Sequence, residues 1–174
     1  HIAAAAAREG RTLDEVADLA QRYADSMATI AVAARCATHP ATGAEFGDLG
    51  DVDMEIGMGQ HGEGGGGRQP MKTAKETIEI MANALVKDIP LAAGDKAFVM
   101  INGSGATTLM EMFILYKDCV HYLESLGIEV VANMVGEILT VQEQAGFQLN
   151  IAKWDEEFLR LWNTPAHTPA FFKE

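Results

Sequence analysis

The stretch from Lys96 to Val135 constrains the fold more than any other part of the chain. Lys96-Ala-Phe-Val-Met-Ile-Asn102 is a short apolar run of the kind that forms a buried strand. Gly103-Ser-Gly-Ala-Thr-Thr108 leads from it into a long helical pattern, Leu109 to Glu124, which stops at Gly127. Ile128-Glu-Val-Val-Ala-Asn-Met-Val135 is the next strand. Strand, helix and strand in immediate succession make a β-α-β unit, so the two strands should lie parallel with a right-handed crossover.

The remaining elements fit around that unit. Thr12-Leu-Asp-Glu15 and Thr73-Ala-Lys-Glu76 are capping boxes, in which hydroxyl and carboxylate satisfy each other's backbone N–H. The first opens a helix over about 13–25, with Leu13, Val16, Leu19 and Tyr23 at helical spacing. The second opens one with Ile78, Met81, Ala82, Leu85 and Val86 on one face, ending before Pro90. Met27 to Ala33 reads as a buried strand, and Asp53 to Gly59 alternates as a half-buried one. Ile138–Val141 and Phe147–Ala152 look extended, and Asp155 can cap a final helix over 156–162. The two prolines in Thr164 to Ala170 predict an ordered, extended tail. His1 to Ala7 reads as a helix in mid-course rather than a leader, for it lacks a basic start and a full apolar region. With about six strands, four helices, no repeat and no linker, the 174 residues predict a single α/β domain.

Charge and cysteine content remove several function classes. Twenty-five acids against thirteen bases give a net charge of −12, without a basic cluster, which argues against nucleic-acid binding. No apolar run is long enough to span a membrane. Cys36 and Cys119 stand apart and form no Cys-x-x-Cys pair, for which two reduced thiols in a cytoplasmic protein are a simpler reading than a disulfide between them.

The chemistry-bearing stretch is Ile56-Gly-Met-Gly-Gln-His-Gly-Glu-Gly-Gly-Gly-Gly67. Glycine lets backbone pass close to another group, at an entropic cost. Here it would let a small molecule approach the His61 imidazole, with Glu63 two residues on. Spacing alone favours the plainer reading, a flexible surface turn with a solvated histidine. If the alternation of the preceding strand persists, Gly57, Gly59, His61 and Glu63 share one side. His61 and Glu63 supply two of the three or four ligands a metal needs, and no second pair exists at ligand spacing. His39 and His121 read as a turn residue and a helix residue, and His167 as an anchor that fixes the tail by hydrogen bonds. Asn102 to Thr108 has the place of a phosphate cradle but lacks the lysine of a Walker loop, so close helix–strand packing explains its glycines better. No Gly-x-Ser-x-Gly elbow is present.

Met54-Glu-Ile-Gly-Met-Gly-Gln-His-Gly-Glu63 resembles the signature of the dihydroxyacetone kinase substrate-binding (K) subunit family. Gly105 to Met112, Gly136-Glu137, Ala145-Gly-Phe147 and Pro165 to Ala170 follow in the family's order, so the resemblance covers nearly the whole chain. It implies the family's second domain: a two-layer α/β arrangement with a mixed sheet of about six strands. By the same resemblance, His61 is the residue that bonds covalently to the carbonyl carbon of dihydroxyacetone as a hemiaminal. Gly59, Gly62 and Glu63 would then border the substrate. The resemblance also implies a preceding K domain absent from this chain, a homodimer, and ATP or ADP with Mg on a partner L subunit or domain. This chain would bind no cofactor and would be inactive alone. Gln60 and Gly64 depart from the usual small apolar residue and proline. A four-carbon ketose such as erythrulose, or a ketose-sensing coactivator without phosphoryl transfer, therefore stands beside the triose kinase.

Overall fold

The computed structural model of the protein describes residues 1–57 and 66–174. Three capping boxes set helix starts. Thr12, Thr73 and Thr108 accept from the N–H of Glu15, Glu76 and Glu111, opening α2 (Leu13–Asp25), α3 (Ala74–Asp88) and α4 (Leu109–Ser125). Asp155 caps α5 (Glu156–Trp162), and α1 (Ile2–Arg8) occupies the alanine-rich start. The helix α4 ends because Gly127 adopts a left-handed φ of +76°, which lets the Ile128 N–H turn back to the Leu123 carbonyl.

The principal sheet contains β1 (Met27–Arg35), β2 (Asp53–Ile56), β3 (Arg68–Pro70), β4 (Lys96–Gly103), β5 (Glu129–Gly136) and β6 (Ala145–Trp154). Its spatial order is β3-β2-β1-β6-β4-β5. The β4–β5 pair is parallel, as the crossover required, and the other pairs are antiparallel. Alternation along the strands divides the core between two faces. Val99, Ile101, Leu149 and Ile151 meet Ile78, Met81, Leu85, Met112, Leu115 and Leu123 of α3 and α4. Burying each such side chain contributes about 1.5–3 kcal/mol before entropy is counted. Phe98, Ala152 and Trp154 point to the opposite face, where α1, α2 and α5 cover one end. Phe98 and Trp154 stack there with ring centroids 4.7 Å apart.

Three expectations need correction. Ile138–Val141 is not extended strand. Its backbone is taken up by the buried Asn102 side chain, which accepts from the Ile138 and Leu139 N–H groups at 2.8 and 3.0 Å. The same side chain donates to the Leu139 carbonyl at 2.8 Å. The tail folds back as a small hairpin of β7 (Ala166–His167) and β8 (Phe172–Lys173), turned by Thr168, whose hydroxyl accepts from the Phe171 N–H at 2.8 Å. His167 contributes there through ring packing on Phe172, with centroids 4.5 Å apart, rather than through a side-chain hydrogen bond. The alternating strand ends early: β2 stops at Ile56, and Gly57 leaves it at a φ of +87°.

Candidate functional site

The segment that carries the histidine motif joins β2 to β3. Met54 and Ile56 bury their side chains toward α3 and α4, as alternation predicted. Val32↔Ile56 and Ala33↔Glu55 register β2 on β1, and the Gly57 N–H donates to the Ala31 carbonyl at 2.7 Å. Glu55↔Arg68 and Asp53↔Pro70 then register β3 on β2. His61, Gly59, Gly62 and Glu63 fall within 58–65, outside the described residues, as does the shared side expected for them. What the structure places is the frame: the segment leaves at Gly57 and returns at Gly66 against the Ile56 backbone.

Arg68 fastens the returning end. Its Nε donates to Asp53 Oδ2 at 2.7 Å, Nη1 to the Asp48 carbonyl at 2.7 Å and Nη2 to the Leu49 carbonyl at 2.8 Å. Leu49 is itself buried with Ala33 and Cys36 at the end of β1. One guanidinium thus ties the hairpin to the 36–50 crossing. Sequence reasoning missed this residue. Its carbonyl partners lie about twenty positions upstream and have no side-chain signature.

The Asn102–Thr108 turn is a packing device. A side-chain carbon on Gly105, whose φ is +124°, would lie 1.8 Å from the Gln142 carbonyl oxygen. Thr107 Oγ1 donates to the Gly146 carbonyl at 2.6 Å and accepts from its N–H at 3.1 Å. The Glu137 carboxylate lies against Gly103, and burial pushes its pKa up although the Gly105 N–H pulls it down. A 540 Å³ groove runs past it to the start of α4. A smaller cavity of 260 Å³ lies on the α3–α4 face, between Met54, Met71, Lys72, Leu115 and Phe147. Among its polar residues, Thr77 and Glu111 are bonded within the first turns of α3 and α4, and Thr107 is bonded to Gly146 of β6. Of the other histidines, His121 is exposed on α4 and His39 packs on Phe46. Among the described residues no three His, Cys, Asp or Glu side chains are grouped to hold a metal ion. Cys36 and Cys119 are both free and buried. No described helix is long and apolar enough to cross a membrane.

The profile of the Dak1 domain matches residues 1–170. The chain belongs to the Dak1 domain family. It is similar to the dihydroxyacetone-binding subunit DhaK of the PEP-dependent dihydroxyacetone kinase of Escherichia coli K12, at 30% identity over 97% of this chain and 54% of the relative. It is also similar to the L-erythrulose kinase of Pectobacterium atrosepticum, at 34% identity over 97% of this chain but 29% of that protein. Among solved structures, the dihydroxyacetone kinase operon co-activator Dha-DhaQ superposes with a TM-score of 0.88 and 27% identity, over 94% of this chain and 51% of the other. This Dak1 domain therefore spans about half the length of the dihydroxyacetone-binding subunit it resembles. Its relatives by sequence thus include a dihydroxyacetone-binding kinase subunit and an erythrulose kinase, and its fold is shared with a coactivator.

Proposed function

We propose that this Dak1 domain is the C-terminal, substrate-anchoring half of a dihydroxyacetone kinase K subunit, with His61 as the covalent anchor. The observation that carries the reading is the Met54–Glu63 signature in a chain of this family, set on a hairpin whose ends meet at Gly57 and Gly66. A neutral imidazole nitrogen adds to the ketone carbon, forming an N–C bond. The carbonyl π bond breaks, its oxygen takes a proton and the ring gives one up, leaving an intact hemiaminal with no water lost. Gly59 and Gly62 permit close approach, and Glu63 holds the other ring nitrogen and sets its tautomer. A bond that requires a carbonyl rejects glycerol, which offers similar hydroxyls without one. It also holds the terminal hydroxyl for phosphoryl transfer, a reaction governed by positioning and electrostatics.

The phosphoryl group comes from elsewhere. ATP, or ADP in a relay, sits with Mg on a nucleotide-binding L subunit or domain, and a preceding K domain completes the site. The assembly is a cytoplasmic homodimer. A second reading keeps the ketose bond and drops phosphoryl transfer, which the superposition on a coactivator favours. The erythrulose kinase relative favours a four-carbon substrate on the same anchor.

Intact-protein mass after incubation with dihydroxyacetone tests the anchor. The expected result is a gain of one whole ketose per chain that disappears in His61→Ala. A gain that survives the substitution, or none in the unaltered protein, would overturn it. Repeating the titration with erythrulose ranks the substrates. The isolated chain should show no turnover with nucleotide and Mg, and any turnover would refute the division of labour.

A further inference from the structure

We infer that Arg68 is the positioning residue for the ketose-anchoring segment, a role that rests on the reading of His61 proposed above. Covalent capture needs the imidazole held at a fixed approach to the carbonyl, and segment 58–65 is rich in glycine, the least self-ordering residue. The described residues at its two ends are what the fold holds. One end is fixed by strand pairing through Ile56 and the Gly57–Ala31 bond. The other enters β3, which is three residues long and finishes in Pro70. So short a strand at a sheet edge is weakly held by its ladder.

Arg68, the first residue of β3, supplies what the ladder lacks. Its three bonds diverge in the plane of one guanidinium, to the Asp53 carboxylate and to two consecutive carbonyls, Asp48 and Leu49. Gly50 turns the chain beneath it at a φ of +63°, and the position of a side-chain carbon there would be 3.7 Å from Arg68 Nη2. Leu49 is buried at 4% exposure against Ala33 and Cys36, so the carbonyls are anchored to β1. The brace thus runs from β1 through Leu49 to Arg68, two residues beyond Gly66. A lysine retains the charge but cannot reproduce a planar fork of three donors.

Two measurements on Arg68→Gln, Arg68→Lys and Asp53→Asn test the brace. The first is adduct mass against dihydroxyacetone concentration; the second is hydrogen exchange of backbone amides. For Arg68→Gln and Arg68→Lys the half-saturating ketose concentration should rise by roughly tenfold to a hundredfold. Adduct at saturation should still reach one per chain, and among the described residues faster exchange should be confined to 47–50, 53–57 and 66–70. Asp53→Asn leaves both carbonyl bonds and should fall between them and the unaltered protein. Unchanged half-saturation in both arginine variants, or an equal loss of protection throughout the sheet, would overturn the inference. If the unaltered protein captures no ketose, the anchor reading fails. Exchange then decides the brace by itself: localised loosening supports it, and unaltered protection of 53–57 and 66–70 overturns it.

Discussion

A side-chain carbon on Gly66 would lie 1.3 Å from the carbonyl oxygen of Ile56, so at this point the two backbones touch. The contact closes the base of the β2–β3 connection before β3 pairing begins at Arg68. No rotamer relieves such an overlap, because the clash is with Cβ itself and the partner is main chain. Gly66→Ala must therefore separate the strands. It should cost about 1–3 kcal/mol, as overpacking does. In a chain of this size each kcal/mol corresponds to about 2–4 °C of Tm. Thermal unfolding followed by circular dichroism reads the shift. A Tm equal to that of the unaltered protein would show that the backbones part without cost.

Asn102 joins β4 to the turn that follows β5. Its side chain is 1% exposed and makes three hydrogen bonds to the Ile138 and Leu139 backbone. Leucine would keep the volume and remove all three of these bonds. Because Ile138 and Leu139 are exposed, part of that penalty is recovered by hydration. The expected loss for Asn102→Leu is about 2–3 kcal/mol, from a desolvation cost of roughly 1–3 per buried unpaired group. Chemical denaturation gives the value. A drop below half a kcal/mol, on the order of an ordinary surface change, would mean the turn holds itself.

Asn102 also shows where sequence and structure part company. The β-α-β unit, three long helices and the buried strands were legible because periodicity and capping boxes are local patterns. Ile138–Val141 was misread because its conformation is set by a side chain some 36 positions away. The extent of β3 was invisible for the opposite reason: Arg68-Gln-Pro70 has no apolar alternation and stands as strand only through β2. At the candidate site the histidine motif was conspicuous, for glycine clusters are rare in folded chain. Arg68 was not, since carbonyl oxygens carry no residue identity.

The two kinds of glutamate in this fold respond oppositely to pH. Thr73 and Thr108 hold Glu76 and Glu111 below their ordinary value mainly through the hydroxyl, and Thr12 holds Glu15 below it mainly through its backbone N–H. Those contributions are present above the unfolded value of 4.5 and fade as pH falls through the lower folded values. Burial raises Glu137, so its protonated form favours the fold; that contribution is complete below 4.5 and is lost as pH rises through the folded value. Glu137→Gln should consequently melt higher than the unaltered protein at pH 7, with the difference vanishing at pH 4. Paired melting curves at several pH values test this. A difference independent of pH would assign the effect to packing.

The thiols should report separately on local and global opening. Cys119 lies fully buried in α4, and burial pushes its pKa up to about 12. At pH 8 it is almost wholly protonated and out of reach, so alkylation has to wait for global unfolding. Cys36 is also raised, by burial first and then by Glu45, but it sits at the end of β1 beneath Leu49. Local opening of the 36–50 crossing is enough to expose it. Native-state alkylation followed by peptide mass should therefore label Cys36 first and Cys119 only at the unfolding rate. Releasing the Leu49 carbonyl with Arg68→Gln should accelerate Cys36 more than Cys119. Equal acceleration of both would show that Arg68 stabilises the whole domain rather than the hairpin and its crossing.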